Sequence, residues 1–132
     1  MPPETTPDIL LTHYEWTVAR LGEALRNEPS EYFRDAALQR FGFTCEMAFK
    51  CLSAFADPAG DAPSNPEESL RWAAKEGFFG TASEWEGIAA AYQEINCKPG
   101  RERADAIFAR LGDYLTCFRD LLTSLRAKRD GA

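Results

Sequence analysis

One segment narrows the folds open to this chain. Arg34 to Lys50, RDAALQRFGFTCEMAFK, reads as the middle of a long helix that is apolar on nearly every side. A helix with that pattern is normally buried among neighbours. Its interruptions are few and mostly charged: Arg34, Asp35, Gln39, Arg40, Glu46 and Lys50. A buried charge is costly unless it is paired or used. These polar residues are therefore either structural pairs or the lining of a site, and the segment alone does not choose.

The neighbours such a helix needs are present. Leu11, Tyr14, Val18, Leu21 and Leu25 recur at spacings of three and four and make one apolar seam over about residues 7–26. Thr6 and Pro7 suit the start of that helix. The central helix is expected from near Ser30 to about Ala56, stopped by Asp57-Pro58. Gly42, between Phe41 and Phe43, suits a close helix–helix approach. Ser64 with Glu67, and then Thr81 with Glu84, repeat a capping-box signature before two short helices. The first of these ends near Gly77, after which Phe78 and Phe79 are expected to turn inward. The second carries Trp85, Ile88, Tyr92 and Ile95 on one face and ends by Asn96. Beyond Lys98-Pro99-Gly100, the seam Ile107, Leu111, Tyr114, Phe118, Leu121 and Leu125 marks a last long helix to about Lys128. No segment reads as a strand. The expected fold is all-α: an antiparallel four/five-helix up-and-down bundle, one domain over residues 1–132, with disordered ends at 1–5 and 129–132.

Charge and length weigh against several functions, without excluding a local basic patch. A chain of 132 residues with net charge −6 lacks the broad basic footprint of a nucleic-acid binder. No apolar run approaches the roughly 20 residues a membrane span needs. The N-terminal MPPETTPD lacks the layout of a secretion signal, so the expected location is the cytoplasm. The cysteines, Cys45, Cys51, Cys97 and Cys117, form no CxxC pair, and His13 is the sole histidine, so no metal site or cofactor is expected. The bland reading makes all four cysteines small apolar fillers. Cys97 as a nucleophile would need a base or cation to lower its pKa, and no histidine is at hand. Arg101, Arg103, Arg110, Arg126, Lys128 and Arg129 alternate with acidic residues and read as a solvated helix face.

The residues of the central helix resemble a known pattern. RDAALQRFGFTCEMAFK resembles the helix-two signature of the nucleotidyltransferase substrate-binding protein family, approximately R-D-x-x-I-Q-R-F-E-F-T-F-E-L-A-W-K. Arg34, Asp35, Gln39, Arg40, Phe41, Phe43, Thr44, Glu46, Ala48 and Lys50 are kept. Gly42 stands where the family often has Glu, and Phe49 where it has Trp. SNPEESLRWAAKEGFFG resembles the family's short third helix. The resemblance spans roughly Leu21 to Leu125 and implies a HEPN-like helical bundle. It also implies homodimerisation and a separately encoded minimal nucleotidyltransferase as partner, often in a toxin–antitoxin-like module. Nucleotide or RNA would be met through that partner.

Many HEPN proteins carry an R-x4–6-H ribonuclease motif. By register its arginine falls near Tyr92 and its histidine near Cys97. The motif cannot occur anywhere in this chain, because no arginine precedes His13. Hydrolysis by that route needs the imidazole and the guanidinium. There is also no glycine-rich phosphate loop. The expectation is a non-catalytic substrate-binding or partner subunit. Arg34, Gln39, Arg40, Glu46, Lys50, Tyr92 and Gln93 are its candidate cleft or interface residues. Glu46 and Lys50, four apart, are equally placed to pair with each other along the helix, and Tyr92 to be a core aromatic with its hydroxyl at the rim. The alternatives are a ribonuclease toxin with a non-standard site and a free-standing bundle that binds a nucleotide or other small ligand.

Overall fold

The computed structural model describes residues 7–26, 30–56, 66–76 and 85–131. Five helices make up the fold: α1 (Pro7–Ala24), α2 (Glu31–Ala56), α3 (Pro66–Lys75), α4 (Trp85–Asn96) and α5 (Arg101–Arg129). There is no strand among the described residues. The two capping boxes, the Asp57–Pro63 loop, Gly77 and the Phe78-Phe79 pair lie outside the described residues.

Local chemistry sets the helix ends. Ser30 caps α2, its Oγ accepting the Phe33 N–H at 3.1 Å. Between α4 and α5 the chain reverses through Lys98, whose φ of 52° is left-handed. Gly100 is then extended and opens α5. Where fraying was expected from Arg129 onward, α5 runs through Arg129, and Asp130 N–H donates to the Arg126 carbonyl at 3.0 Å. Gly131, at φ 79°, closes the end. Arg126, Lys128 and Arg129 in the last turn complement the negative end of the helix dipole.

The contacts fix the helix directions. Along α1 the residues Tyr14, Glu15 and Gly22 meet Phe118, Arg126 and Leu115, so α1 runs antiparallel to α5. Arg34 meets Asp105 and Phe41 meets Tyr114, so α2 and α5 are parallel. Gly42 meets Ile95 and Phe49 meets Tyr92, so α4 runs back along α2. This is an up-and-down arrangement with α2 touching all four other helices.

The α1 seam is buried from Leu11 through Tyr14, Val18 and Leu21, with Leu25 half-buried just past the helix end, and all six seam residues on α5 are buried. The core centres on four aromatic rings. Phe41 stacks on Tyr114 at 5.7 Å and tilts against Phe118 at 5.9 Å, and Tyr14 meets Phe118 edge-on at 6.5 Å. The Tyr14 hydroxyl, fully buried, donates to the Phe118 carbonyl at 2.7 Å. Burial holds its pKa well above the ordinary tyrosine value, so it stays a donor. Nearby, Thr17 Oγ1 donates to the Tyr14 carbonyl at 2.8 Å. Thr44 Oγ1 donates to the Arg40 carbonyl at 2.8 Å, with the Thr17 carbonyl at 3.3 Å across the α1–α2 crossing. Three of the cysteines do act as buried filler, and burial pushes the Cys51 thiol up to about 12. Cys97 departs from the filler reading, because it lies exposed in the α4–α5 turn.

Two glycines test this packing in opposite directions. A Cβ on Gly87 of α4 would stand 2.8 Å from the Tyr114 hydroxyl, whereas one on Gly112 meets nothing within 4 Å. Gly112→Ala is expected to raise stability by about 0.5–1 kcal/mol through helix propensity. Gly87→Ala displaces a buried ring and is expected to lower it by about 1–2 kcal/mol. Paired urea or thermal melts check the signs. Tyr14→Phe, which leaves the Phe118 carbonyl its intrahelical partner, is expected to cost about 1 kcal/mol in the same measurement.

Candidate functional site

Among the described residues, the charged and amide side chains of α2 are not fully buried, in contrast to Thr44. Tyr32, Asp35, Gln39, Phe43, Glu46 and Lys50 are all exposed, and Arg34 and Arg40 are partly so. The expectation of a helix enclosed on every side is corrected: four neighbouring helices cover most of α2 and leave one sector open.

Beside that sector, where α2 meets the end of α4 and the start of α5, lies a groove of about 440 Å³. Leu38, Gly42, Ile95 and Ala104 form its apolar floor. Gly42 allows the close approach its flanking phenylalanines suggested, since a Cβ there would lie 3.2 Å from Ile95 Cδ1. Phe43 stands on one wall with half its surface exposed, and Asn96 and Pro99 form the other side. Arg34, Asp35, Gln39 and Glu46 supply the remaining polar lining.

Arg34 is held rather than free. Its Nε and Nη2 donate to Asp35 Oδ1 at 3.0 and 2.9 Å, and its Nη1 donates to Asp105 Oδ1 at 2.9 Å. The side chain is 12% exposed, and the hydrogen bonds to Asp105 and then Asp35 raise its pKa. This fork ties α2 to α5 at one end of the groove. At the other end Glu46 accepts a hydrogen bond from the Tyr92 hydroxyl at 3.3 Å. Tyr92 packs its ring edge-on to Phe49 at 5.2 Å, a core aromatic with its hydroxyl at the rim. Desolvation raises the pKa of that hydroxyl, opposed by a hydrogen bond with Asn96. Around the groove one guanidinium thus faces three carboxylates, those of Asp35, Glu46 and Asp105.

The structure divides the sequence-based candidates. Arg34, Gln39 and Glu46 line the groove, and Tyr92 supports Glu46 from behind. Arg40 lies off the groove on the flank of α2, and Lys50 stands one turn beyond Glu46. The Glu46–Lys50 pair does not form, and among the described residues Lys50 makes no ion pair. Gln93 faces a separate hollow of about 210 Å³ with Arg71 and Trp85, where the Arg71 guanidinium lies 5.8 Å from the Trp85 ring centre. The cationic residues of α5 are engaged as a solvated face: Arg110 with Asp113, Arg126 with Glu15, and Arg129 with Asp130. Sequence reasoning passed over Phe43 and Asn96 as groove residues. Helical angle was the available signal for Phe43, which shares a face with Gln39 and Glu46.

Arg103 clasps Glu94 with two contacts of 2.9 and 2.6 Å and so fastens the α4–α5 turn that borders the groove. The hydrogen bond from Arg103 holds the Glu94 carboxyl below its ordinary value. A depressed folded-state pKa contributes stability that is present above the unfolded value, about 4.3, and is lost as pH falls through the folded one. The melting-temperature advantage of the native chain over Glu94→Gln is therefore expected at neutral pH and expected to vanish in acid. Melts across that range check it.

The comparisons with known proteins agree with this geometry. A crystal structure of a protein from Thermus thermophilus superposes with a TM-score of 0.73 at 30% identity, covering 86% of this chain and 98% of that one. No curated protein is similar enough to count as a relative. The family described as nucleotidyltransferase substrate binding protein like matches residues 10–127, which takes in all five helices but for their outermost turns. The chain belongs to the nucleotidyltransferase substrate-binding-protein-like family.

Proposed function

We propose that this chain is the non-catalytic, substrate-binding subunit of a two-component nucleotidyltransferase. It works in the cytoplasm as a homodimer of HEPN-like bundles beside a separately encoded minimal nucleotidyltransferase, in a toxin–antitoxin-like module. The observation that carries the reading is the groove itself. Motif residues Arg34, Gln39 and Glu46 line it together with an exposed Phe43, in a chain that matches the family over residues 10–127. Gly42 deepens the middle of the groove, where the glutamate common in the family would project a side chain.

Charge divides the labour. The Asp35 and Glu46 carboxylates line the groove, and its one guanidinium is already engaged by Asp35 and Asp105; that field repels a triphosphate, so the nucleotide belongs on the transferase and the acceptor in this groove. Gln39 and Asn96 amides, the Glu46 carboxylate and the Phe43 ring suit an acceptor with hydroxyl or amino groups on an apolar frame. Ribonuclease action is the weaker reading. Tyr92, at the arginine position of the R-x4–6-H motif, is engaged by Glu46, and His13 lies on α1 away from the groove. No helix among the described residues is long and apolar enough to cross a membrane.

Co-expression with the nucleotidyltransferase encoded beside it tests the assignment. The two proteins are expected to co-elute in size-exclusion chromatography, and transfer to the acceptor is expected to need both. Separate elution would sink the proposal. In the complex, Glu46→Ala is expected to raise the acceptor KM roughly tenfold and leave kcat nearly unchanged, the mark of lost ground-state binding.

A further inference from the structure

Six exposed residues of α2 form a self-complementary stripe. Tyr32, Asp35, Gln39, Phe43, Glu46 and Lys50 are spaced three, four, four, three and four. At 3.6 residues per turn they stay within one sector about 80° wide and about 28 Å long. Among the described residues, two of the three large exposed apolar side chains lie on it, Tyr32 at 76% and Phe43 at 51%. The third, Trp16 on α1, has the Arg20 guanidinium 5.7 Å from its ring centre.

We infer that this stripe docks a second copy of the chain, α2 against α2, antiparallel, about a two-fold axis passing between Gly42 and Phe43. The inference rests on the homodimer reading above and adds the face and the register. In that arrangement each residue faces the one equidistant from the axis. Asp35 meets Lys50 of the second copy, Gln39 meets Glu46, the two Phe43 rings flank the axis side by side at the outer edge of the groove, and Tyr32 reaches the small Ser53. By symmetry every pairing forms twice.

Charge complementarity selects this occupant and this register. Lys50 has no ion pair within its own chain among the described residues. Asp35 uses only Oδ1 toward Arg34, and its side chain remains 66% exposed. A parallel two-fold pair would set Asp35 on Asp35, Glu46 on Glu46 and Lys50 on Lys50, three like-charge contacts. Sliding the antiparallel helices by one turn in one direction sets Asp35 against Glu46. Sliding them the other way leaves both carboxylates without a cation.

The pairing also completes the groove. Asp35, Gln39, Phe43 and Glu46 belong to both the stripe and the groove lining, so the second copy forms an outer wall and brings Lys50 to its most acidic end. A single pair of helices buries a modest area, at the low end of stable interfaces, so the dimer is expected to weaken on dilution and in salt.

Light scattering of the purified chain over a roughly hundredfold dilution, with helicity followed by circular dichroism, tests the register. The native chain is expected to be dimeric at the concentrated end. Lys50→Glu and Asp35→Lys, each alone, are expected to weaken association at least about tenfold, the loss of two charge pairs. Mixing these two variants is expected to restore a dimer, because each chain then offers the other both complementary pairs. Gln39→Lys, placed opposite Glu46, is expected to tighten the dimer, a gain that misfolding cannot mimic. A native chain that stays monomeric overturns both the dimer reading and this interface. A native dimer indifferent to Lys50→Glu and Gln39→Lys overturns the interface alone. Variants that remain monomeric after mixing overturn the register.

Discussion

Everything in this bundle depends on α2 having four helical neighbours and one open side. The Tyr14, Phe41, Tyr114 and Phe118 cluster sets the rotation of α2, because Phe41 must point into the rings of α5. The buried hydroxyl of Tyr14 on the Phe118 carbonyl then fixes where α1 stands against α5. A non-directional aromatic core would permit a sliding or rotated α1. A buried donor with one acceptor does not, since leaving it unpaired costs on the order of 1–3 kcal/mol. Once α2 is rotated so that Phe41 and Cys45 point inward, Gln39, Phe43 and Glu46 must point outward. The core and the site are two consequences of one angular choice on one helix.

Much of this was legible in the chain. The seams of α1 and α5 lay at spacings of three and four, and every α5 seam residue is buried. Proline, glycine and short polar residues marked the breaks, and the bounds of α1, α2 and α5 fall within a residue or two of expectation. The charge state of α2 was less legible, for a physical reason. Periodicity says which residues share a face, but it does not say which face a neighbour covers. Arg34, Gln39, Glu46 and Lys50 were set against an enclosed helix, whereas α1, α4 and α5 pack on the other side and leave them wet. The i, i+4 arithmetic joined Glu46 to Lys50, but the Tyr92 hydroxyl, distant in sequence, is the partner Glu46 finds. Asn96 and Pro99 reach the groove only because the left-handed Lys98 reverses the chain there. No local pattern announces that.

Arg34 shows how a motif residue can be fixed in place and still shape a site. Its guanidinium is spent on Asp35 and Asp105, so it brings little net positive charge to the groove. What it supplies is position: it anchors the first turn of α2 to the first turn of α5 and so sets the width of the groove at that end. The Glu94–Arg103 clasp does the same for the far wall. The Glu94–Arg103 pair faces solvent, and such pairs contribute little to global stability; the Arg34 side chain is largely covered, but its two aspartates are exposed. Their value is geometric, holding two helix ends at the spacing that defines the groove between them.

The excess of carboxylate around the groove argues for the division of work between subunits more strongly than the missing motif does. A missing catalytic motif says only that one route is closed. A groove lined by the carboxylates of Asp35 and Glu46 and by one guanidinium, itself engaged by Asp35 and Asp105, makes a statement about its occupant. An anionic ligand would have to enter against that field, with no free cation to meet it among the described residues that line the groove. Nucleotidyl transfer brings together a strongly anionic donor and an acceptor that must be held close without sharing that charge. On the proposed reading, a negative groove on a separate helical subunit would keep the donor's phosphates away from the acceptor and still admit hydroxyl or amino groups. Gly42 works in the same direction, since it leaves a further side chain, and in the family a further carboxylate, out of the middle of the groove. This arrangement of charge and space would be wasteful in a bundle that only had to fold.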